Sequence, residues 1–246
     1  MKIAKGIETL ELTMNFAGNQ SVIHPTLIWD NDTVILVDTG LPGQLQEIRE
    51  AMDKAGVPFG KLSKVILTHH DIDHIGSLPD VVRESDHKIE VLAHAAEKPY
   101  IEGEKTFVKI TPERIAKMLE SLPDEQREQA QAMFANPPKA SVNTTVADGE
   151  VLPYCGGITV IFTSGHTPGH ICLYHNESKT LITGDAMIIL AGQLLGPNPQ
   201  ATPDMDTAIQ ALKKFTAYDI ETVICYHGGI YKDNVNQRLV ELVKGQ

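Results

Sequence analysis

The sequence predicts an α/β fold of two similar halves, each a sheet with helices on its outer face. Short apolar runs with strand character alternate with amphipathic runs of helical period. Their order is strands then a helix, a charged helical segment, and strands then helices again. The chain has 246 residues, of which 42% are hydrophobic. Because that is enough to bury a sizeable core, we expect residues 1–246 to form a single domain.

The first half contains strand, helix and strand signals in that order. Residues 21–29 and 33–37 are typical of paired strands joined by a short polar turn. Residues 44–55 place their apolar side chains on one face, which predicts an amphipathic helix. Short buried strands are predicted at 64–67 and 88–93.

A segment of different composition, residues 97–140, separates the two halves. It is charged, rich in Glu, Lys and Gln, and interrupted by prolines whose positions predict helices at 112–121 and 123–135. Scattered apolar residues, among them Met133 and Phe134, suit a helical lid over an apolar pocket. The alternative is a helical elaboration that packs away from any site.

The second half returns to strand and helix signals. Strands are predicted at 157–163, 171–174, 180–182 and 222–225, and helices at 205–215 and 235–244.

Composition narrows the class of protein. The chain has 21 Lys and Arg against 32 Asp and Glu, a formal charge of −11, and a net acidic surface disfavours nucleic acid as a partner. We expect no membrane association, because no apolar run approaches ~18 residues and the N-terminus has no apolar leader. The cysteines lack CxxC spacing, which indicates buried thiols and a cytoplasmic location. They are Cys155, Cys172 and Cys225.

The densest polar signal is the run THHDIDHIG at 68–76, directly after an apolar strand. It therefore lies in a loop at the C-terminal end of a strand, where α/β sheets commonly place their sites. A solvated polar loop is the alternative, but so many potential charges in a short run are poorly suited to core packing. The candidate ligands in this run are His69, Asp71, Asp73 and His74.

Three further segments repeat the pattern of an apolar strand followed by a ligand-type residue and glycine. They place His166, Asp185 and His227 just after predicted strands. Strand ends of this kind would converge on one edge of the fold. Imidazoles mixed with carboxylates suit first-row divalent ions.

The ordered strings HHDIDH, GHTPGH, TGD and a late His-Gly resemble the metallo-β-lactamase superfamily. The resemblance extends over residues 34–227 and implies an αβ/βα four-layer sandwich with a dinuclear metal site. It also implies that Asp38, in the turn VDTG, supports the metal loop. By the same match, His69, Asp71 and His166 would hold metal 1, Asp73, His74 and His227 would hold metal 2, and Asp185 would bridge them.

One position departs from that pattern. Asp71 stands where the superfamily usually has its second histidine, and a shifted loop in which His70 binds metal 1 instead is the alternative. If Asp71 binds, the centre carries one positive charge less than usual and acidifies its water less. Two Zn²⁺ ions are expected, while the extra oxygen ligand shifts the preference towards Mn²⁺ or Fe²⁺.

Other histidines are weaker candidates. We expect His170 to cap the GHTPGH turn, His87 and His175 to lie at the surface, and His24 to be an ordinary strand residue. His94 either supports the site from outside the ligand set or packs at a strand end.

The resemblance implies a hydrolase that cleaves an ester-like bond of a small molecule, such as a lactone, thioester or phosphodiester. A metal-bridging hydroxide would be the nucleophile. Asp73 would orient it and receive its proton, and Asp185 would hold both metals. Two alternatives remain: a di-iron oxidoreductase of the same fold, in which an acidic residue at the position of Asp71 is usual, and a non-catalytic metal-binding protein.

Overall fold

Two sheets packed face to face form the centre of the molecule. The computed structural model describes residues 1–16 and 19–244. The strands of the first half are β1 (Lys2–Ala4), β2 (Ile7–Thr9), β3 (Leu12–Phe16), β4 (Asn19–Ile23), β5 (Thr26–Trp29), β6 (Val34–Val37), β7 (Lys64–Ile66), β8 (Glu90–His94) and β9 (Thr144–Val146). Those of the second half are β10 (Val151–Leu152), β11 (Ile158–Phe162), β12 (Ile171–His175), β13 (Thr180–Ile182), β14 (Ile188–Leu190), β15 (Gln193–Leu195), β16 (Thr222–Cys225) and β17 (Gly229–Tyr231).

The α-helices lie on the outer faces, in the connection between β8 and β9 and, for the short α2, in the loop after β7. They are α1 (Leu45–Lys54), α2 (Ile72–Ile75), α3 (Leu78–Arg83), α4 (Lys98–Ile101), α5 (Pro112–Ser121), α6 (Asp124–Ala135), α7 (Met205–Leu212) and α8 (Val235–Lys244). Among the described residues, no helix combines the length and the apolar character that crossing a bilayer requires.

The first sheet has the order β1-β2-β5-β6-β7-β8-β9, and the second has the order β10-β11-β12-β13-β16-β17. Between them lies an apolar cluster to which both sheets contribute, for example Ile35 and Ile66 from one and Val160 and Ile224 from the other. Central strands buried on both faces need continuous apolar runs, which explains the sequence VILV of β6.

Separate apolar clusters fill the space between each sheet and its helices. Ile48 and Met52 of α1 pack over the first sheet, and Leu212 of α7 and Leu239 of α8 pack over the second. The layers are therefore helix, sheet, sheet and helix. This confirms the predicted αβ/βα sandwich.

The sheet topology brings the functional loops to one edge. Strands β6, β7, β8 and β9 are parallel neighbours, as are β13 and β16 in the second sheet. Parallel strands end on the same side, so the loops after β7, β13 and β16 lie together.

The structure corrects the expectations for the strand 21–29 and for the position of the insert. The predicted strand 21–29 is interrupted at His24-Pro25, so β4 pairs with β3 in a hairpin while β5 joins the main sheet. Proline has no amide hydrogen to donate to a strand ladder, which explains the break. The insert does not lie between the halves, because β9 returns to the first sheet beside β8.

Candidate metal centre

The predicted metal ligands all lie within the described residues, and they meet at the shared edge of the two sheets. Their ligand atoms form two groups, within each of which the atoms lie no more than 4.8 Å apart. The first group consists of His69, Asp71, His166 and Asp185, and the second group consists of Asp73, His74 and His227.

Asp185 lies between the two groups. Its Oδ2 is 3.2 Å from Nε2 of His166 in the first group. Its Oδ1 is 3.3 Å from Nε2 of His74 and 3.5 Å from Nε2 of His227 in the second group. One carboxylate therefore faces both groups with different oxygens, which is the arrangement that a bridging ligand needs.

Three atoms of these groups are buried without a hydrogen-bond partner: Nε2 of His69, Nε2 of His74 and Oδ1 of Asp185. Buried polar atoms are nearly always hydrogen-bonded, since leaving one unpaired is costly. His69 Nε2 does lie 3.2 Å from Asp71 Oδ2, but not in hydrogen-bond geometry. Imidazole nitrogens and carboxylate oxygens that converge in this way fit divalent metal ions.

Asp71, rather than His70, is directed into the first group. Asp71 Oδ2 lies 3.1 Å from Nε2 of His166. The ring of His70 stacks on Tyr100 instead and binds the carboxylate of Glu97 through Nδ1. His70 Nε2 accepts a hydrogen bond from the amide of Val108 at 3.4 Å. The geometry favours Asp71 over His70 as the residue that replaces the usual histidine.

The electrostatics of the groups are dominated by mutual attraction between carboxylates and imidazoles. Burial on its own raises the pKa of Asp185, but His227, His74 and His166 outweigh this effect and hold the pKa well below its usual range. Burial likewise lowers the pKa of His227, yet Asp185 and Asp73 raise that pKa to about 10. The carboxylates thus favour protonated imidazoles, and the imidazoles favour ionised carboxylates.

Asp38 is hydrogen-bonded to the loop that carries four of the candidate ligands. Its buried carboxylate accepts hydrogen bonds from the amide and hydroxyl of Thr68, at 2.8 and 2.7 Å, and pairs with Nδ1 of His74 at 2.8 Å. A proton on Nδ1 leaves the Nε2 lone pair of His74 facing the second group, which fixes the tautomer that a metal ligand needs.

His170 supports the neighbouring loop. Its Nδ1 is 2.8 Å from the hydroxyl of Thr163, and its Nε2 accepts a hydrogen bond from the amide of Asp185. Gly184, with a φ of +48°, passes so close that an added Cβ would lie 2.9 Å from this nitrogen. His170 therefore holds the turns of both His166 and Asp185, and belongs to neither group.

Glu97 is a buried residue that the sequence analysis did not identify. Its carboxylate accepts hydrogen bonds from the amide of His70 at 2.9 Å, the hydroxyl of Thr167 at 2.9 Å and the amide of Gly169 at 2.5 Å. It thereby ties the loop of His69 and Asp71 to the loop of His166. A single glutamate at the start of a charged segment carries no sequence signal for burial.

Lys109 was also missed, although this residue of the insert contacts two candidate ligands directly. Its amine binds Oδ2 of Asp71 and lies 2.5 Å from Nε2 of His166. The insert therefore reaches the first group through the loop before α5. Whether the α5–α6 pair covers the centre as a lid stays a prediction.

The remaining histidines lie outside both groups. His87 is exposed, as predicted. The surface prediction for His175 was wrong, because the residue is buried and both of its nitrogens have partners in Ser178 and the carbonyl of Cys155. His94 packs on Phe162 at the end of β8. His24 Nδ1 lies 3.1 Å from the carbonyl of Tyr226. The three cysteines are buried, as predicted.

Known proteins of similar sequence show the family of this chain. A sequence model of the metallo-beta-lactamase superfamily matches residues 19–227. The chain belongs to the metallo-beta-lactamase superfamily. It is 29% identical over 241 residues to a probable metallo-hydrolase, YflN, of Bacillus subtilis, covering 92% of this chain and 84% of that protein. It is 22% identical over 180 residues to an atrochrysone carboxyl ACP thioesterase of Aspergillus fumigatus, covering 73% of this chain and 42% of that enzyme.

Solved structures of other proteins share the fold. A metallo-beta-lactamase family protein from Thermus thermophilus matches with a TM-score of 0.73 and 22% identity, covering 98% of this chain and 79% of that one. A flavo di-iron protein mutant from Thermotoga maritima matches with a TM-score of 0.67 and 17% identity, covering 98% of this chain but 60% of that one. The resemblance predicted from the sequence motifs is confirmed.

Proposed function

We propose that this protein is a dinuclear metallo-hydrolase that cleaves an ester-like bond of a small molecule, such as a thioester, lactone or phosphodiester. The observation that carries the proposal is the position of Asp185, which faces both groups with its two carboxylate oxygens. A pair of divalent ions held in this way would supply an acidified water and a Lewis acid for the bond to be cleaved. The names of the bacterial and fungal relatives support hydrolysis.

Asp73 is proposed as the proton acceptor. Its Oδ2 lies 3.2 Å from Nε2 of His227, and its side chain is 24% exposed, so it lies at the open side of the centre. Its backbone carbonyl accepts a hydrogen bond from the hydroxyl of Tyr226 at 2.5 Å, which holds the residue in place. A positioned carboxylate at the edge of the centre can take the proton of an attacking water.

An apolar cavity adjoins the first group and gives room for a substrate. It measures about 300 Å³ and is lined by His166, Val108, Pro168, Pro203 and Thr207, among others. Walls of this composition favour an acyl or alkyl part beside the reacting bond, and carbonyl esters and thioesters provide such a part.

The experiment that tests the function begins with protein purified without added metal. Metals per chain are quantified, and matched lactones, thioesters and phosphodiesters are then assayed. We expect about two divalent ions per chain and turnover of at least one of the three classes. A protein that holds two ions but turns over none of them would contradict the hydrolase, and iron with an oxygen-dependent spectrum would favour the oxidoreductase instead.

Asp71→His is expected to retain the fold and to bind Zn²⁺ more tightly in the first group. The change supplies the usual imidazole and adds one unit of positive charge, which makes the nucleophilic water more acidic. The basic form is then present at lower pH, so the acid limb of the rate–pH profile should shift down by about one unit. Zinc titration and the rate–pH profile measure both effects. Values identical to those of the parent would show that Asp71 is not a ligand.

Met133→Ala together with Phe134→Ala tests the lid. If the insert covers the cavity, KM or the preference among substrates should change by about threefold or more while both metals stay bound, since a lid selects substrate shape without altering the metal chemistry. Val151→Ala, on the exposed edge strand of the second sheet, is the control. Unchanged kinetics on every substrate would mean that α5 and α6 are structural.

A further inference from the structure

We propose that the positively charged amine of Lys109 competes with a divalent ion for the first group. The two groups would then bind divalent ions with unequal affinity. The second group fills first, and the first group fills only when an ion displaces the Lys109 amine. This inference rests on the proposed metal centre and adds a residue of the insert that controls how it is loaded.

The Lys109 amine contacts two of the candidate ligands that a metal ion in the first group would use. Its amine binds Oδ2 of Asp71 and lies 2.5 Å from Nε2 of His166, and both of these atoms belong to the first group. The Lys109 side chain is 12% exposed. A divalent ion and an ammonium cannot share the same oxygen and nitrogen lone pairs, because both compete for them and repel each other.

The backbone on either side holds Lys109 at the centre. Phe107 is buried in the core of the first half, and Ile110 packs against the same cluster. The amide of Val108 donates to His70, and the amide of Ile110 donates to the carbonyl of Phe107 at 3.0 Å. Because the backbone is held on both sides of Lys109, we expect the loop to stay in place. The amine would then leave the first group through a change of side-chain conformation.

The second group differs in both charge and access. Within the described part of the chain, Asp73 forms ion pairs with His74 and His227 but with no lysine or arginine. His227 is 30% exposed and Asp73 is 24% exposed. An ion entering from solvent therefore meets the second group without displacing the side chain of a lysine or arginine. Once it is bound, Asp185 is already oriented towards the first group.

The test is a metal titration that does not depend on activity. Chelator-treated protein is equilibrated with Zn²⁺ over a range of buffered free concentrations, and bound zinc per chain is measured. The parent should bind in two separated steps. In Lys109→Met the weaker step should tighten by about tenfold or more, since a like charge is removed from the first group, while the tighter step stays unchanged.

Two further variants make the result specific. Lys117→Met removes the same charge from an exposed position of α5 in the same insert, and should titrate like the parent. Lys109→Arg keeps the charge and should keep the affinities unequal. Folding of each variant is checked by thermal unfolding of the metal-free protein.

Two outcomes would overturn the inference. Unchanged zinc affinities in Lys109→Met would show that Lys109 does not compete with the ion. A further loss of affinity in the weaker step, which belongs to the first group, would show that Lys109 instead holds Asp71 in place for the ion. If the parent binds no zinc at all, the metal centre itself is wrong, and that failure is distinct because it appears before any variant is compared.

Discussion

Asp185→Ala is expected to lose both metal ions together and to lose more than a hundredfold in rate. Because its two oxygens face different groups, one substitution removes a ligand from each. Substitution of a residue that only orients a ligand already lowers metal affinity or activity by about 10–100-fold. Substitution of a ligand shared by both groups should therefore lower them more. Metal analysis after dialysis and the hydrolysis rate measure the two effects.

The control for this variant is Asp206→Ala, which removes a carboxylate from an exposed position in the first turn of α7. It should keep the metal content and rate of the parent. If Asp185→Ala retained both ions and a near-normal rate, the two groups would not form a dinuclear centre around Asp185.

Glu97→Ala is expected to destabilise the metal-free protein by about 3 kcal/mol or more, because several buried donors lose their acceptor at once. The donors are the amide of His70, the hydroxyl of Thr167 and the amide of Gly169. Metal affinity should fall as well, by about 10–100-fold, because the loops of the first group are no longer tied together. Urea unfolding and zinc titration test the two effects separately.

Glu104→Ala, at an exposed position of the same segment, should change neither quantity. Glu97→Gln keeps an acceptor oxygen and should retain more stability than Glu97→Ala. Loss of stability with unchanged metal affinity would mean that Glu97 braces the core without positioning the ligands. Stability equal to that of the parent would contradict the hydrogen-bond geometry itself.

The convergence of the candidate ligands was predictable from the sequence because these residues stand in short strings after apolar strands. The strand before Asp185 is buried throughout, and the strand before His69 is buried except at Lys64. In both places the ligand-type side chain follows where the sheet ends. Local patterns of this kind can be recognised in the sequence without knowledge of tertiary contacts. Helix α8 was predicted with its correct bounds for the same reason, since its apolar residues recur at helical spacing.

Features that depend on distant contacts were not predictable. Glu97 and Lys109 are charged residues in a charged segment, and nothing near them in the chain shows that one is buried and the other touches two ligands. His175 was placed at the surface although its partner, the carbonyl of Cys155, lies twenty residues away along the chain. Strands of two or three residues, such as β10 and β17, are too short to show a period.

The connection between β8 and β9 gives the fold a part whose size can vary independently of the rest. Parallel neighbours such as β8 and β9 require a crossover of a dozen or more residues in any case. Lengthening such a connection adds little closure entropy, about 0.6 kcal/mol for each doubling. Lys109, which contacts two candidate ligands, and Glu97, which ties their loops together, both precede α5. Helices α5 and α6 could therefore be exchanged as one block while these contacts remain. If the α5–α6 pair covers the cavity, substrate range and metal binding would depend on separate stretches of one connection, and each could change without the other.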